Sequence, residues 1–426
     1  MSTLRAMLLR ARTFADCCRP RVLGLLVSLV AVGFGAGAGA RAAVGAGHGQ
    51  VRSTAAAAVP QGFVGVDADG PLFGPDSPVD FASQVTTMVA DGVQSVRAAF
   101  SWSAAEPYQS WADVPASQMS QFSNVDGQPI DFSVTDMIVA ATARRRISVL
   151  PTVLYAPSWD ALTNPNGVAT PKRNGPYAAY LTALIGRYGP NGSFWIENPG
   201  IPKLPIRSWQ IWNEPNIAYY WSQPFAAGYV SLLRAAHAAV KRADPGAQVV
   251  LGALTNLAWR AIGQIYRVRG ARELFDIAAV NGFTLEPANV ILYLRFMRDA
   301  MDRFGDRRKP LLATEISWPS AKGQTSSHYD FDTTEAGQAR DIAAVLPLLG
   351  EQRTSLGLIG FYYYTWMGEE SPGTQAFNFS GLLGLHNGKV TVKPALAAFR
   401  SGVLALERCK RKGAVATSCI PSRSRR

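Results

Sequence analysis

From Gln61 onward, short apolar runs alternate with longer stretches whose apolar residues recur at helical spacing. The runs are GFVGVDA (62–68), VQSVRAAFSW (93–102), ISVLPTVLYAPSW (147–159), SWQIWNEPN (208–216) and AQVVLGAL (247–254), then FDIAAVNGFT (275–284), PLLATEISWPS (310–320) and LGLIGFYYYTW (356–366). They are short, rich in β-branched and aromatic residues, and read as buried strands. Between them, 78–91, 131–144, 175–188, 225–243, 257–270, 287–304 and 334–350 read as amphipathic helices, and 392–406 follows the last strand. Eight strands alternating strictly with eight helices predict a parallel sheet. No glycine-rich phosphate turn follows the first run, and polar and aromatic residues gather at the C-terminal ends of many strands. Those two features favour a closed (β/α)₈ barrel over a doubly wound sheet, because a barrel collects all those ends around one mouth. Long connections at 103–130 and 367–390 leave such ends and are expected to wall a cleft.

The segments outside this pattern differ in character. An arginine-bearing stretch (Arg5 to Arg21) precedes an apolar run from Val22 to Ala40, the order of a secretory signal. The run also nearly reaches the roughly 20 residues that span a bilayer. Residues 1–45 are therefore expected to be either a cleaved signal peptide or a retained membrane anchor through 22–40. In both cases the rest of the chain lies outside the cytoplasm, secreted or anchored facing outward. Residues 46–60 read as a flexible Ala/Gly-rich linker, 61–406 as the barrel, and 407–426 as a basic tail, solvated and disordered.

Charge changes the picture less than its total implies. The formal net charge of +12 comes from the two ends: residues 1–60 carry seven arginines against one acid, and 407–426 carry seven Lys/Arg against one acid. The barrel segment is balanced, so a nucleic-acid partner is not expected. Cys17 and Cys18 precede the apolar run, whereas Cys409 and Cys419 could close a short loop in an oxidising compartment. The four histidines are scattered and no Cys/His set has metal-ligand spacing, so neither metal nor cofactor is called for.

Two carboxylates stand out. Trp212-Asn213-Glu214-Pro215-Asn216 ends the fourth strand, and Thr314-Glu315-Ile316-Ser317-Trp318 ends the seventh. Taken singly, Glu214 could cap a helix and Glu315 could serve a salt bridge. Ending two strands of one barrel, they fit the carboxyl pair that a retaining glycosidase needs across the scissile bond.

These motifs resemble the clan A glycoside hydrolases, the group that includes cellulases and β-xylosidases of glycoside hydrolase families five and thirty-nine, over about 67–400. The resemblance implies Glu214 as acid/base, Glu315 as nucleophile and Asn213 as the contact to a sugar 2-hydroxyl. It implies that Arg97, in Val96-Arg97 before Phe100-Ser101-Trp102, reaches toward the nucleophile, and that Trp366 forms an aromatic floor beneath the reacting sugar. Among the aromatic residues at strand ends and in mouth loops, Trp366, Trp318 and Trp102 are expected to bind substrate by stacking. The sixth strand departs from the clan, reading Asn281-Gly282-Phe283 where a His-Pro-Tyr-like run often stands, so Glu315 is expected to lean on Arg97 or on a tyrosine of 362–364. The function expected is a monomeric retaining O-glycoside hydrolase acting on β-linked glycosides or polysaccharides. The alternative, prompted by the sixth strand, is a carbohydrate-binding barrel without turnover at the cell surface.

Overall fold

The computed structural model describes residues 58–421, apart from 74–76, 327, 372 and 374. The expected signal or anchor (1–45), most of the linker and residues 422–426 lie outside the described residues. Among the described residues no helix is long and apolar enough to cross a membrane.

Eight parallel strands form the centre: β1 (Val64–Ala68), β2 (Ser95–Ser101), β3 (Ser148–Leu154), β4 (Ser208–Ile211), β5 (Gln248–Val250), β6 (Ala278–Asn281), β7 (Leu311–Ile316) and β8 (Leu358–Tyr363). Their order in the sheet is β6-β7-β8-β1-β2-β3-β4-β5. Single parallel bridges, Val250 to Ile277 and Leu254 to Val280, join β5 to β6 and close the barrel. Leu251 N–H donates to the Ile277 carbonyl at 2.9 Å and Leu254 N–H to that of Ala279 at 3.0 Å across this seam. The (β/α)₈ barrel expected from the alternation is therefore the observed fold.

Among the described residues eight helices longer than two turns surround it: α1 (Phe81–Ala90), α2 (Ser133–Arg144), α3 (Asn174–Tyr188), α4 (Ala226–Ala243), α5 (Ala258–Tyr266), α6 (Pro287–Arg303), α7 (Glu335–Leu356) and α8 (Pro394–Leu406). Each lays an apolar stripe on the strands. In α4 that stripe is Tyr229, Leu232, Leu233, Ala236 and Val240, spaced at the helical repeat. Local sequence sets several ends: Asp80 caps α1 through Ala82 and Ser83 N–H, Thr334 caps α7, and Gly357 closes α7 in the left-handed region at φ 63°.

Inside the barrel the lower layer is apolar, with Leu150, Val250, Ile277, Ala279, Leu312 and Tyr362 packed together. Gly65 on β1 makes room for the Tyr362 ring, which a Cβ there would approach to 2.4 Å. Above this plug the side chains turn polar. The two-residue period of β2 sends Ser95, Arg97 and Ala99 inward and Val96, Ala98 and Phe100 toward the helices.

Over its described residues the basic tail is not disordered as expected. Residues 409–421 fold as a hairpin, β9 (Cys409–Lys412) against β10 (Cys419–Pro421), closed by a Cys409–Cys419 disulfide. Lys412 is buried against Glu407 and the Ala416 carbonyl, and Ala416 N–H donates to the Arg145 carbonyl at 2.8 Å. A buried ion pair and a covalent closure thus tie this segment to the base of the barrel. The linker boundary also moves: Val59 is already packed, its N–H on the Leu406 carbonyl at 3.1 Å.

Filling the space beside Tyr362 gives the first test. Gly65→Ala is expected to lower unfolding free energy by about 1–3 kcal/mol, the usual cost of overpacking a closed core, read from the urea midpoint at unchanged m-value.

Candidate active site

Arg97 projects from β2 into the centre of the polar layer and is buried. Its Nε donates to Gln210 Oε1 at 2.7 Å, Nη2 to Asn213 Oδ1 at 2.9 Å, and Nη1 to both Asp67 Oδ1 at 2.6 Å and Glu315 Oε1 at 2.8 Å. One guanidinium therefore gathers residues from β1, β4 and β7. Gln210 is itself fixed by Thr152 Oγ1 at 2.9 Å and by donation to the Leu251 carbonyl.

Glu214 lies across this cluster without a bond to Arg97. Asn281 Nδ2, from β6, donates to Glu214 Oε1 at 2.8 Å, while its Oδ1 accepts from Thr314 Oγ1 at 2.8 Å. Asn281 also hydrogen-bonds Glu315, so one amide touches both carboxyl groups. Thr255 adds a further hydrogen bond to Glu214. Asn216 anchors the Thr255 segment, donating to its carbonyl at 2.8 Å and accepting its N–H at 3.1 Å. The register shift between Val280 and Asn281 is a bulge of the kind that re-aims side chains beside functional sites. Trp212 and Glu214 themselves hold φ of 68° and 42°, a left-handed conformation that costs a non-glycine residue about 1–2 kcal/mol. Such outliers cluster where a side chain must be held in one place.

Four carboxyl groups lie within electrostatic reach of one guanidinium, which bonds two of them, Asp67 and Glu315. Burial and then the neighbouring Glu315 charge push Glu214 up to about 8. Burial also raises Glu315, but the Arg97 charge and hydrogen bond pull against it. Asp67 is raised well above the usual carboxylate range by burial, with Arg97 opposing and Glu315 adding to the rise. Asp69, held by Thr365 Oγ1 at 2.7 Å and by Tyr364, is raised by burial as well. The cluster retains protons near neutrality, and Glu214, bearing no cation, is a natural holder of one.

Every residue singled out in the sequence is now placed. Glu214, Glu315, Asn213 and Arg97 converge. Trp102, Trp318 and Trp366 do not face the mouth, contrary to expectation: they are 0%, 1% and 0% exposed. Their indole N–H groups donate inward, to Glu106 at 2.9 Å, the Thr284 carbonyl at 2.8 Å and Gln84 at 3.0 Å. They brace the wall behind the site, because a buried indole must satisfy its one donor. Glu315 leans on Arg97, as expected, and on Asn281; Tyr362 and Tyr363 point elsewhere, to Ser95 and to Gln338 with Ser380.

The sequence reading missed Asp67, Asp69, Gln210 and Asn281, and it missed which rings line the opening. Tyr364 is half-buried at the end of β8, bonded to Asp69 and within electrostatic reach of Glu315 and Tyr220. Tyr220 in turn lies within reach of Glu214, Glu315 and Tyr155. A clue existed, since Asp67 and Asp69 end β1 at the same level as the two glutamates. A separate cavity of about 790 Å³ runs along the flank beside α3, touched by Glu106 and Trp159, and holds none of this network.

The barrel is similar to that of the monomeric β-xylosidase from Caulobacter crescentus CB15, with TM-score 0.57 and 18% identity over 82% of this chain and 69% of that one. It is also similar to the GH53 catalytic domain of Ignisphaera aggregans, with TM-score 0.52 and 18% identity over 81% and 98% of the two chains. The α-L-arabinofuranosidase from Thermotoga maritima matches with TM-score 0.53 and 13% identity over 83% and 72%. These are clan A glycoside hydrolases, the group that the strand-end motifs resemble, and at such identities the likeness is one of fold. No family model matches the sequence, and no curated protein matches it.

Removing the central cation tests the electrostatics. Arg97→Met leaves Asp67 and Glu315 buried without a counter-charge, an arrangement that costs about 3–5 kcal/mol. The loss is expected in full at pH 8 and reduced at pH 5, where both carboxyls take up protons, as urea titrations at the two pH values will read.

Proposed function

We propose that the chain is a glycosidase that hydrolyses β-linked glycosides with retention, through a covalent glycosyl-enzyme. The observation that carries this reading is the asymmetry of the carboxyl pair. Glu315 bonds Arg97, whereas Glu214 has no cation and is pushed up to about 8. A charged nucleophile beside a protonated acid is the starting state of double displacement.

In the first step a Glu315 oxygen attacks the anomeric carbon while Glu214 gives its proton to the departing oxygen. The glycosyl ester neutralises Glu315, which removes the charge that raised Glu214, so Glu214 is ready to take a proton from water. That water attacks the anomeric carbon and releases Glu315. Arg97 holds the Asn213 amide by its oxygen. That leaves the Nδ2 donors for a sugar hydroxyl beside the reacting carbon. Asn281, touching both glutamates, keeps them in register through the cycle.

We also propose that the enzyme works outside the cytoplasm, secreted or anchored through 22–40. The Cys409–Cys419 disulfide supports that placement, because such bonds persist in oxidising compartments.

Aryl β-glucosides and β-xylosides test the roles. Glu315→Gln is expected to lose at least about 10⁴-fold in kcat. Glu214→Ala should slow poor leaving groups far more than activated aryl glycosides; equal losses on both would remove Glu214 from the acid role. For the wild type, kcat/KM should fall tenfold per pH unit above about 8, because the acid must hold its proton in the free enzyme. That basic limb should vanish in Glu214→Ala assayed with an activated aryl glycoside.

A further inference from the structure

One side of the mouth is built from rings. Phe331 stacks on Phe283 at 5.6 Å between centroids and 18° between planes, and on Tyr329 at 5.1 Å and 13°. Phe377 lies across this column, 5.0 Å from Phe283 and 4.9 Å from Tyr329. The four rings come from the loops that leave β6, β7 and β8, and none is fully buried; Tyr329 is 40% exposed. Tyr329 is also within electrostatic reach of Glu214.

The rim continues this character. Leu162, Tyr219, Leu257 and Leu285 are 49%, 39%, 47% and 57% exposed. Each follows the C-terminal end of a different strand, from β3 to β6, so barrel closure sets all four around the mouth. Apolar side chains scattered singly over a surface need no explanation, but a set gathered at one opening does. A further sugar would present hydroxyl groups around its edge and would need polar partners there. Leucines offer none.

We propose that the leaving group is an apolar aglycone, alkyl or aryl, received by the Tyr329–Phe331–Phe283–Phe377 wall and the leucine rim. The inference rests on the hydrolase reading above, because it is Glu214 as acid that marks the Tyr329 side as the leaving-group side. The glycosyl unit sits among the carboxylates, and the apolar part of the substrate lies against the rings and out over the rim. Each methylene taken from water onto such a surface adds roughly a two- to fourfold gain in affinity.

The test uses the full chain with methyl, butyl, hexyl and octyl β-D-glucosides and β-D-xylosides, all below their micellar concentrations. Phenyl and 2-naphthyl glycosides of the same sugars form a second arm, and cellobiose and xylobiose a third. The expected result is a kcat/KM that climbs at least tenfold from methyl to octyl, mainly through KM, with the disaccharides below octyl. The climb should flatten in the Leu257→Ser/Leu285→Ser double variant, read as the octyl-to-methyl ratio. A rise in the alkyl arm assigns a lipid-like aglycone, and a rise confined to the aryl arm an aromatic one. A flat series with the disaccharides preferred overturns the inference and leaves the hydrolase reading standing. If no glycoside is turned over, the hydrolase reading fails. Titration of the Glu315→Gln variant with octyl and methyl glucoside, followed by intrinsic fluorescence, then decides the apolar site alone: equal affinity removes it, and at least tenfold tighter octyl binding retains it.

Discussion

The whole site hangs on one buried guanidinium. Arg97 occupies the floor of the mouth and reaches Asp67, Gln210, Asn213 and Glu315, residues from three strands that are distant in sequence. A buried cation is tolerable only when opposite charge and hydrogen bonds surround it, so the same bonds that make Arg97 affordable also fix the carboxylate it holds. Those four bonds do not include Glu214, which receives no cation. The different electrostatic setting of two otherwise similar glutamates follows from which of them the arginine touches.

The barrel makes that arrangement possible. Parallel strands bring their C-terminal ends to one level, and the inward half of each strand's alternation supplies the polar layer above an apolar plug. Glu214 leaves β4 and Glu315 lies on β7, and the local irregularities near both, positive φ at Glu214 and a bulge beside Asn281, aim them without altering the closed sheet. The base of the barrel does different work. There the disulfide-closed hairpin and the buried Lys412–Glu407 pair secure the chain end.

How much of this was readable in the sequence differs by kind of interaction. The strands and helices were legible in kind and order, though not in their ends (147–159 against Ser148–Leu154, 334–350 against Glu335–Leu356), because burial on the barrel wall imposes periods that survive in the hydrophobic pattern. The two glutamates were legible because an acid ending an apolar strand is conspicuous. The run Asn281-Gly282-Phe283 looked like a loss, since Phe283 stands where the hydroxyl of a His-Pro-Tyr-like run was expected, yet Asn281 bonds both carboxyl groups. Gln210 was invisible inside Trp209-Gln210-Ile211, where only the barrel interior gives a glutamine a partner. The tryptophans misled for a related reason: their positions mark the mouth, but their rings are buried in the wall, and Tyr364, Phe283 and Tyr329 are among the rings left partly exposed there. The tail misled through composition: the Cys409–Cys419 closure was legible, but the run of basic residues says nothing of the hairpin that closure forms against the barrel.

Trapping the covalent intermediate tests the central claim most directly. Incubation with an activated 2-deoxy-2-fluoro-β-glycoside of the sugar the enzyme hydrolyses, followed by peptide mass spectrometry, identifies the carboxylate that becomes esterified. The account predicts one fluoroglycosyl unit, on Glu315. A label on Glu214 or Asp67, or no label in a protein that still turns over the parent glycoside, would contradict it.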